Sequence, residues 1–476
     1  MSVLGARAVR GTLWLGLVNL VSKGSQVAVT VALAAFLTED GLGAVALAVA
    51  LVNIGQVVQA MGVYDVVGRT TGDPRRLAAT VLTLSVGTGI VLAAVLAVAA
   101  GPLAALLGSP QAAPLLRLAA VSLPFSAAGG VQLALMHRRL DFRRRLLPDA
   151  GSAVLGAALT VALAAAGIGP LSLVAGLLCT SVTLPVLAWA VGVPPRPGWD
   201  RAAAAEALRW IAVVGPAAVV AILLTTVDYL AIGHVLGPAA VGVYSLAFRI
   251  AWMPYVLVAV VLAAVAFPVY TRLVRDGEGL AAATARFTRA TSVVCGGLYL
   301  VAALLADHVT VLGQRWAPAG PVLVLLCGYG LAMSLLQTWY QTIKAAGPAR
   351  RYLLLELTHL AVLAAALAAG TRHGLAVVAG AQAVVAWLLV VLTWRTLVRA
   401  GLAFPAADLA DIAVGVVAAA VPCVAVALLS DWWLGPPASV PAALAEALVL
   451  AAVYTGASLL THRGAVRELR ARGGVR

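Results

Sequence analysis

The feature that most constrains this chain is a succession of long apolar stretches that carries almost no charge. A helix needs about 20 apolar residues to cross the roughly 30 Å hydrocarbon core of a bilayer. Only 11% of the residues are charged, against about 25% in soluble proteins, so a soluble fold is excluded. We predict an all-α integral membrane protein with about 14 transmembrane helices, over residues 11–36, 42–63, 78–100, 115–136, 149–166, 171–193, 207–233, 240–268, 285–306, 320–343, 352–370, 374–394, 410–429 and 441–461.

Positive charge fixes the orientation of these helices. All but five of the 32 lysines and arginines fall in the two tails or in alternate gaps that share one side. Cytoplasmic loops are enriched in Lys and Arg, so we expect a multi-pass protein of the bacterial inner membrane with both termini in the cytoplasm. The basic residues form short loop clusters rather than one face, which is not the pattern of a nucleic-acid-binding protein.

Two of the five exceptions, Lys23 and Arg249, lie deep inside predicted spans. Lys23 is roughly 18 Å from the inner end of the first span and Arg249 about 14 Å from the outer end of the eighth. A charge at this depth costs at least ~2.5 kcal/mol and usually faces a polar interior, and the fork of an arginine suits phosphate oxygens. We therefore predict a central cationic site. The alternatives are a structural lysine, and an Arg249 ion pair with Asp228.

Other polar residues share faces of the predicted helices and are candidates for lining a cavity. Their spacings of three, four and seven residues place them on single helix faces, although such residues often only bond a neighbouring helix. They are Asn19, Ser22 and Gln26 in the first span, Asn53 and Gln56 in the second, and Gln337, Tyr340, Gln341 and Lys344 in the tenth.

Two intramembrane carboxylates are candidates for ion coupling. Asp228 lies near the outer end of the seventh span, where it binds a coupling cation or caps the helix. Glu356 shares a face of the eleventh span with His359, as a proton relay or as the partner of Arg351 or Lys344.

Motifs for catalysis, cofactors and metals are missing from the sequence. It contains no HExxH, GxSxG or P-loop pattern, and the four cysteines have no metal-ligand spacing. We therefore expect neither an enzyme nor a cofactor, and a transporter driven by a gradient, with H⁺ or Na⁺ as candidate coupling ions.

A weak internal repeat suggests how the helices are organised. Gly43, Leu47 and Ala48 recur after 199 residues as Gly242, Leu246 and Ala247. Six helices return a chain to the side it left, so the repeat is a parallel duplication with a site between the halves. We predict lobes at 1–200 and 201–400, followed by two appended helices and a basic tail at 401–476.

Four segments resemble the Wzx-type polysaccharide flippases of the multidrug/oligosaccharidyl-lipid/polysaccharide exporter superfamily. They are Val227–Gly237 (VDYLAIGHVLG), Val241–Arg249 (VGVYSLAFR), Met136–Arg143 (MHRRLDFR) and Ala266–Leu273 (AFPVYTRL).

This resemblance implies two pseudo-symmetric six-helix lobes around a central cavity. It also implies alternating access, and a substrate of undecaprenyl pyrophosphate bearing a sugar repeat unit. Arg249 ends a matched segment, whereas Lys23 is assigned by its depth alone. We predict that these two residues bind the pyrophosphate, while Asn19, Gln26, Asn53, Gln56, Gln337 and Tyr340 face the sugar. Expected partners are membrane lipids, a polysaccharide polymerase and glycosyltransferases.

Three other functions stay open at this point. A lipid II flippase shares the fold and the need for cavity cations. A cation-coupled multidrug exporter needs more acidic cavity residues than Asp228 and Glu356 provide. A membrane-embedded polymerase or glycosyltransferase usually carries a large external loop with catalytic residues, and the external gaps here are short.

Overall fold

The computed structural model describes residues 29–30, 32–60, 67, 74–139, 141–192, 196–347, 349–435, 437 and 439–461. The regular structure of these residues is helical throughout. The helices are α1 Glu39–Ala60, α2 Pro74–Leu106, α3 Ala112–Ala120, α4 Ser122–Arg138, α5 Phe142–Leu146, α6 Ser152–Ala165, α7 Leu171–Val191, α8 Arg201–Leu224, α9 Val227–Leu236, α10 Pro238–Pro254, α11 Val260–Asp276, α12 Leu280–Leu304, α13 Ala319–Ala346, α14 Ala349–Gly370, α15 Leu375–Arg399, α16 Ala406–Leu434 and α17 Val440–Thr461.

Among the described residues, twelve helices are long and apolar enough to cross a membrane, or thirteen if one bent pair counts as a single span. Each of the thirteen predicted spans after the first coincides with one of them. Most of the first predicted span, with Asn19, Lys23 and Gln26, lies outside the described residues. The all-helical membrane fold is therefore confirmed, and the count of fourteen stays a prediction.

The seventh predicted span is broken rather than continuous. Helix α8 ends at Leu224, α9 begins at Val227, and the two meet at a bend of 42°. At its other end, α8 is capped by Asp200, whose carboxylate accepts hydrogen bonds from the backbone N–H groups of Ala202 and Ala203. The bond from Ala203 is the main cause that lowers the pKa of Asp200 below its usual value, because it stabilises the charged form.

The chain divides into two compact units. The first takes in residues up to Ser245 together with Leu367–Arg372, and the second takes in Leu246–Ala366 and His373 onward. This division follows spatial packing and falls within α10. The lobe boundaries at 200/201 and 400/401, which follow the sequence repeat, stay predictions.

Small residues hold the helices of the first unit close together. Helices α6 and α7 cross at Gly156 and Gly176, where a Cβ on either glycine would lie 2.7 Å from the carbonyl oxygen of the other. Thr160 and Thr180 follow one turn later, which is the small-xxx-small pattern of packed membrane helices. In lipid the hydrophobic effect does not drive helices together, so close van der Waals packing of this kind stabilises their association.

A second glycine crossing joins α1 to the start of α10. A Cβ on Gly43 would overlap the carbonyl group of Pro238, and a Cβ on Gly242 would overlap that of Glu39. Each glycine therefore meets the residue four positions before the other. The two positions are those of the predicted repeat, which stays a prediction.

The second unit is built around α13. This helix is the most deeply buried of the described spans, and it packs against α11, α12 and α15. Trp339 and Tyr329 on α13 are almost fully buried. The polar side chains that α13 carries are consequently held in the interior of this unit.

Candidate functional site

Three of the predicted polar residues lie along α13. Gln337 is half-buried, Tyr340 is buried and Lys344, in the last turn of the helix, is exposed. Their spacing of three and four residues places them on one face. We call Gln337, Tyr340 and Lys344 the polar strip, which runs toward the C-terminal end of α13; its role in lining a cavity stays a prediction.

A slab of four aromatic rings lies beside this strip. Trp252 on α10 packs almost parallel to Phe248 and Tyr329, at centroid distances of 5.2 and 5.8 Å and interplanar angles of 20° and 17°. Tyr255 lies 4.3 Å from Trp252. We call Phe248, Trp252, Tyr255 and Tyr329 the aromatic slab.

The slab is joined to the polar strip by a hydrogen bond. The Tyr255 hydroxyl donates to Oε1 of Gln337 over 3.3 Å. Tyr255 opens a π-helical turn, Tyr255–Ala259, directly after Pro254. A proline lacks the N–H that continues an α-helix, and single π turns are common at functional sites. This local break sets the position of Tyr255 relative to α13.

Both signs of charge occur near the end of the strip that Lys344 occupies. The Lys344 ammonium lies 4.0 Å from the centre of the Tyr352 ring on α14, which is a cation–π contact. The edge of Tyr340 meets the same ring at 5.1 Å. Glu356, one turn beyond Tyr352, attracts Lys344 electrostatically, but among the described residues the two form no ion pair within 4.0 Å. The expected partnership of Glu356 with Lys344 is therefore indirect.

Arg249 lies on the same helix as Trp252, one turn earlier. It is half-buried, 11 residues after Pro238, and therefore roughly 16 Å along the helix axis from its start. A helix at this depth in a roughly 30 Å core is near the membrane centre. The mid-membrane depth of Arg249 stays a prediction.

Asp228 is surrounded by protein and not placed on the polar strip. Its carboxylate, which is fully buried, accepts a 2.6 Å hydrogen bond from the Tyr244 hydroxyl and one of 2.9 Å from the backbone N–H of Tyr229. It lies in the first turn of α9, where a negative charge is stabilised by the helix dipole. This geometry favours the alternative in which Asp228 caps the broken helix.

The two candidates of α1 belong to the first unit. Asn53 and Gln56 are half-buried. Their neighbour Gln59 donates a 2.6 Å hydrogen bond to Ser126 on α4. Gln59 therefore joins two helices, while the cavity-facing role of Asn53 and Gln56 stays a prediction.

His359, which the sequence places on the same helix face as Glu356, is a buried residue of α14. It is 1% exposed, and neither ring nitrogen has a hydrogen-bond partner in the described part of the chain. It continues a buried stripe on α14 formed by Leu355, Leu363 and Leu367, at intervals of four residues. This is a packing position, and the proton relay gains no support from it.

Sequence reasoning missed three members of this site, Trp252, Tyr255 and Tyr352. Aromatic residues at membrane depth are ordinary, and only their spacing from a charged residue distinguishes these. Trp252 follows Arg249 by three residues and Tyr352 precedes Glu356 by four, so each shares a helix face with an intramembrane charge. No group of three or more potential metal ligands occurs in the described ranges.

Comparison with known proteins places these features in context. A family profile described as "Polysaccharide biosynthesis protein" matches residues 32–321. The succinoglycan biosynthesis transport protein ExoT of Rhizobium meliloti is 28% identical over 297 residues, which is 62% of this chain and 60% of ExoT. The lipopolysaccharide biosynthesis protein WzxC of Escherichia coli is 25% identical over 343 residues, 70% of this chain and 68% of WzxC. The chain thus spans less than two thirds of the length of ExoT.

Solved structures show the same fold at low sequence identity. The lipid II flippase MurJ, in an inward closed conformation, gives a TM-score of 0.78 at 14% identity and covers 96% of this chain and 100% of MurJ. A MATE multidrug transporter of the MOP superfamily, facing inward, gives 0.63 at 17% identity, with 81% and 99% covered. These likenesses establish the architecture, which two functionally different transporters share.

Proposed function

Since the chain belongs to the polysaccharide biosynthesis protein family, we propose that it moves lipid-linked oligosaccharides across the bacterial inner membrane. The proposed substrate is undecaprenyl pyrophosphate bearing a sugar repeat unit. The protein would act by alternating access and without chemical change to its substrate. Both termini lie in the cytoplasm in this proposal, as the distribution of Lys and Arg requires.

The observation that carries this proposal is Arg249 within the long apolar span from Pro238 to Asp276. The pyrophosphate of this substrate is esterified at both ends and is dianionic at neutral pH, and taking it through hydrocarbon without compensation is prohibitive. A guanidinium at mid-depth offers a fork of donors to its oxygens. Lys23 is the second cation that we propose for this site.

The polar strip of α13 suits the saccharide part of the same molecule. Amide, hydroxyl and ammonium groups at Gln337, Tyr340 and Lys344 provide donors and acceptors along a path from the interior to the inner surface. Sugar hydroxyls need such partners once they leave water. The prenyl chain is as apolar as the lipid tails and can remain among them.

Asn53 and Gln56 are proposed to face the sugar from the first unit, with Asn19 and Gln26 of the first span. Coupling to H⁺ or Na⁺ is proposed at Glu356 rather than Asp228. The reason is that Asp228 is already enclosed by hydrogen bonds to Tyr244 and Tyr229. A polysaccharide polymerase and glycosyltransferases are the proposed protein partners, because they would consume and supply the substrate.

The test is transport by purified protein in proteoliposomes. Undecaprenyl pyrophosphate carrying a fluorescent oligosaccharide, lipid II and a cationic drug are each supplied, and exposure on the opposite leaflet is measured. We expect transport of the first substrate, and a loss of at least tenfold in Arg249→Gln and in Lys23→Gln. Arg372→Gln, at an exposed cation in a turn, is the matched control and keeps full activity.

The outcomes separate the candidate functions. A preference for lipid II or for the drug would replace the proposed substrate class. Full activity of Arg249→Gln and Lys23→Gln at normal protein levels would remove the cationic site from the mechanism while leaving the substrate class intact.

A further inference from the structure

The loop between α12 and α13 holds a buried histidine between two carboxylates. His308 lies in the 3₁₀ turn Ala306–Leu312, and its side chain is only 8% exposed. Its Nε2 lies 3.5 Å from a carboxylate oxygen of Asp431, and its Nδ1 lies 3.6 Å from one of Glu446. Asp431 belongs to the last turn of α16 and Glu446 to the second turn of α17. One imidazole ring therefore faces an acid from each of the two C-terminal helices.

These two contacts favour the charged form of the ring. A neutral imidazole has one N–H group and one lone pair, whereas an imidazolium has an N–H group on each nitrogen. In the neutral form, one ring nitrogen would turn a lone pair toward a carboxylate oxygen. Nδ1 of His308 has no hydrogen-bond partner in the described part of the chain, and at 3.6 Å its contact with Glu446 is one of charge. A proton on the ring is thus stabilised by both carboxylates.

Other charged groups around this loop do not replace the two acids. Asp307 lies against α13, because a Cβ on Gly320 would be 2.8 Å from its Oδ1. Arg315, in the next 3₁₀ turn, lies 5.7 Å from the centre of the Trp316 ring. The last turn of α12 and the first turn of α13 contain no ionisable residue. The remaining charged residues of α16 lie in its first two turns, at the opposite end, and α17 has none besides Glu446.

The C-terminal helices are attached to the second unit over a limited area, so an ionic contact matters more there. Helix α17 is the least buried of the described spans, and it packs against α16, α12 and the turn that carries His308. In the middle of α12, Gly296 meets Val416 of α16 and Gly297 meets Tyr454 of α17. His308 and its two acids add a second point of attachment at the end of α12, roughly 10 Å further along its axis.

We propose that His308 is a proton-binding site whose charged form holds the C-terminal end of α16 and the N-terminal half of α17 against the α12–α13 loop. We call His308, Asp431 and Glu446 the clasp. This inference goes beyond the proposed function and is independent of the substrate. In the orientation proposed above, the loop faces outward, so the clasp responds to the external pH. It closes as the exterior becomes acidic and opens as the exterior becomes alkaline.

The expected pH dependence follows from the charge of the ring. Histidine changes charge between about pH 5 and 8, a range in which carboxylates are ordinarily ionised. The clasp needs the imidazolium, so its contribution to stability is largest at the acidic end of this range and is lost as the pH rises. Glu446 should contribute more than Asp431, because its side chain is 13% exposed against 49% and water screens exposed charges.

The experiment measures the melting temperature of the purified full-length protein in one detergent between about pH 5.5 and 8. We expect the wild type to melt several degrees above His308→Gln at the acidic end, and at nearly the same temperature at the alkaline end. Glu446→Gln should remove most of this pH-dependent difference and Asp431→Asn a smaller part. In the double variant His308→Gln/Glu446→Gln, the second change should add little, because the two residues form one contact.

His373→Gln is the matched control, since His373 is exposed in the short turn Thr371–His373 after α14, and it should keep the wild-type pH profile. Two results would overturn the clasp: a His308→Gln profile parallel to that of the wild type, which indicates packing alone, or no difference at any pH. If His308→Gln fails to fold, Glu446→Gln and Asp431→Asn, which leave the ring in place, decide the question by the same comparison. None of these residues is proposed to bind the substrate, so the result is separate from that of the transport assay.

Discussion

The crossing of α1 and α10 allows a quantitative test, because two glycines there leave no room for a side chain. A Cβ on Gly43 would lie 2.6 Å from the carbonyl carbon of Pro238, and one on Gly242 would lie 2.8 Å from that of Glu39. Ordinary contact begins near 3.4 Å. In both cases the carbonyl oxygen of the same residue lies nearer still. Since the obstacle is backbone, relief requires the helices to move apart by more than about 0.8 Å.

The expected cost follows from two opposing effects. Overpacking of this kind typically destabilises a protein by about 1–3 kcal/mol. Replacing a helical glycine with alanine by itself contributes about 1 kcal/mol of stability. Gly87→Ala and Gly130→Ala isolate the second effect, since nothing lies within 4 Å of a Cβ at either helical position.

The assay is thermal unfolding of the purified variants in the same detergent. We expect Gly43→Ala and Gly242→Ala to melt several degrees below Gly87→Ala and Gly130→Ala, which should match or exceed the wild type. The Gly43→Ala/Gly242→Ala double variant should cost less than the sum of the single variants. The first methyl already widens the crossing that the second would widen, and such coupled pairs deviate from additivity by about 0.5–3 kcal/mol. Single variants as stable as the controls, or strictly additive losses, would refute the reciprocal contact.

Three further changes test the polar residues of the helices. Tyr244→Phe should lower the free energy of unfolding by about 1.5–3 kcal/mol, the value of a hydrogen bond to a charged group. Transport per folded molecule should not change. Loss of transport without loss of stability would instead assign Asp228 to ion coupling. Glu356→Gln should abolish the pH dependence of transport if Glu356 binds the coupling proton. Lys344→Gln should retain that dependence and weaken lipid binding. A pH profile of transport unchanged by Glu356→Gln contradicts the coupling role of Glu356. His359→Leu completes an apolar stripe and should leave the melting temperature equal or higher with transport retained, and a fall in transport at unchanged stability would show that the ring is used.

The sequence predicted the features of this fold that depend on the surrounding bilayer. Apolar length and the placement of Arg and Lys depend only on the bilayer, and the thirteen predicted spans after the first all coincide with helices. The bend at Thr225–Thr226 escaped prediction because the flanking helices remain apolar, so the mean hydropathy of the span does not fall at the few polar residues of the break. The π-helical turn at Tyr255 is similar, although Pro254 is a visible warning of a local departure from α-helix.

The candidate site was predictable only where residues share one helix. The helical spacing predicts that Gln337, Tyr340 and Lys344 share one face of α13. Which residues of other helices contact that face depends on how the helices pack, and the helical spacing of one segment does not predict this packing. Tyr352 therefore gave no sequence signal of its contact with Lys344.

The intramembrane charges show what the sequence predicts and what it does not. The free-energy cost of burying a charge depends on the residue and its depth, so the sequence identifies Asp228, Arg249 and Glu356 equally. The structure adds the groups that compensate the carboxylates of Asp228 and Glu356. Hydrogen bonds from Tyr244 and a helix N-terminus enclose Asp228, so its charge is compensated within the fold. In the described part of the chain, the partners of Glu356 are the Tyr352 hydroxyl and Lys344, which lies beyond ion-pair distance. We propose that its charge is therefore open to a proton or a metal cation. The residue whose compensation is least complete is the one on which a coupling ion has the largest effect, and this is why we assign coupling to Glu356.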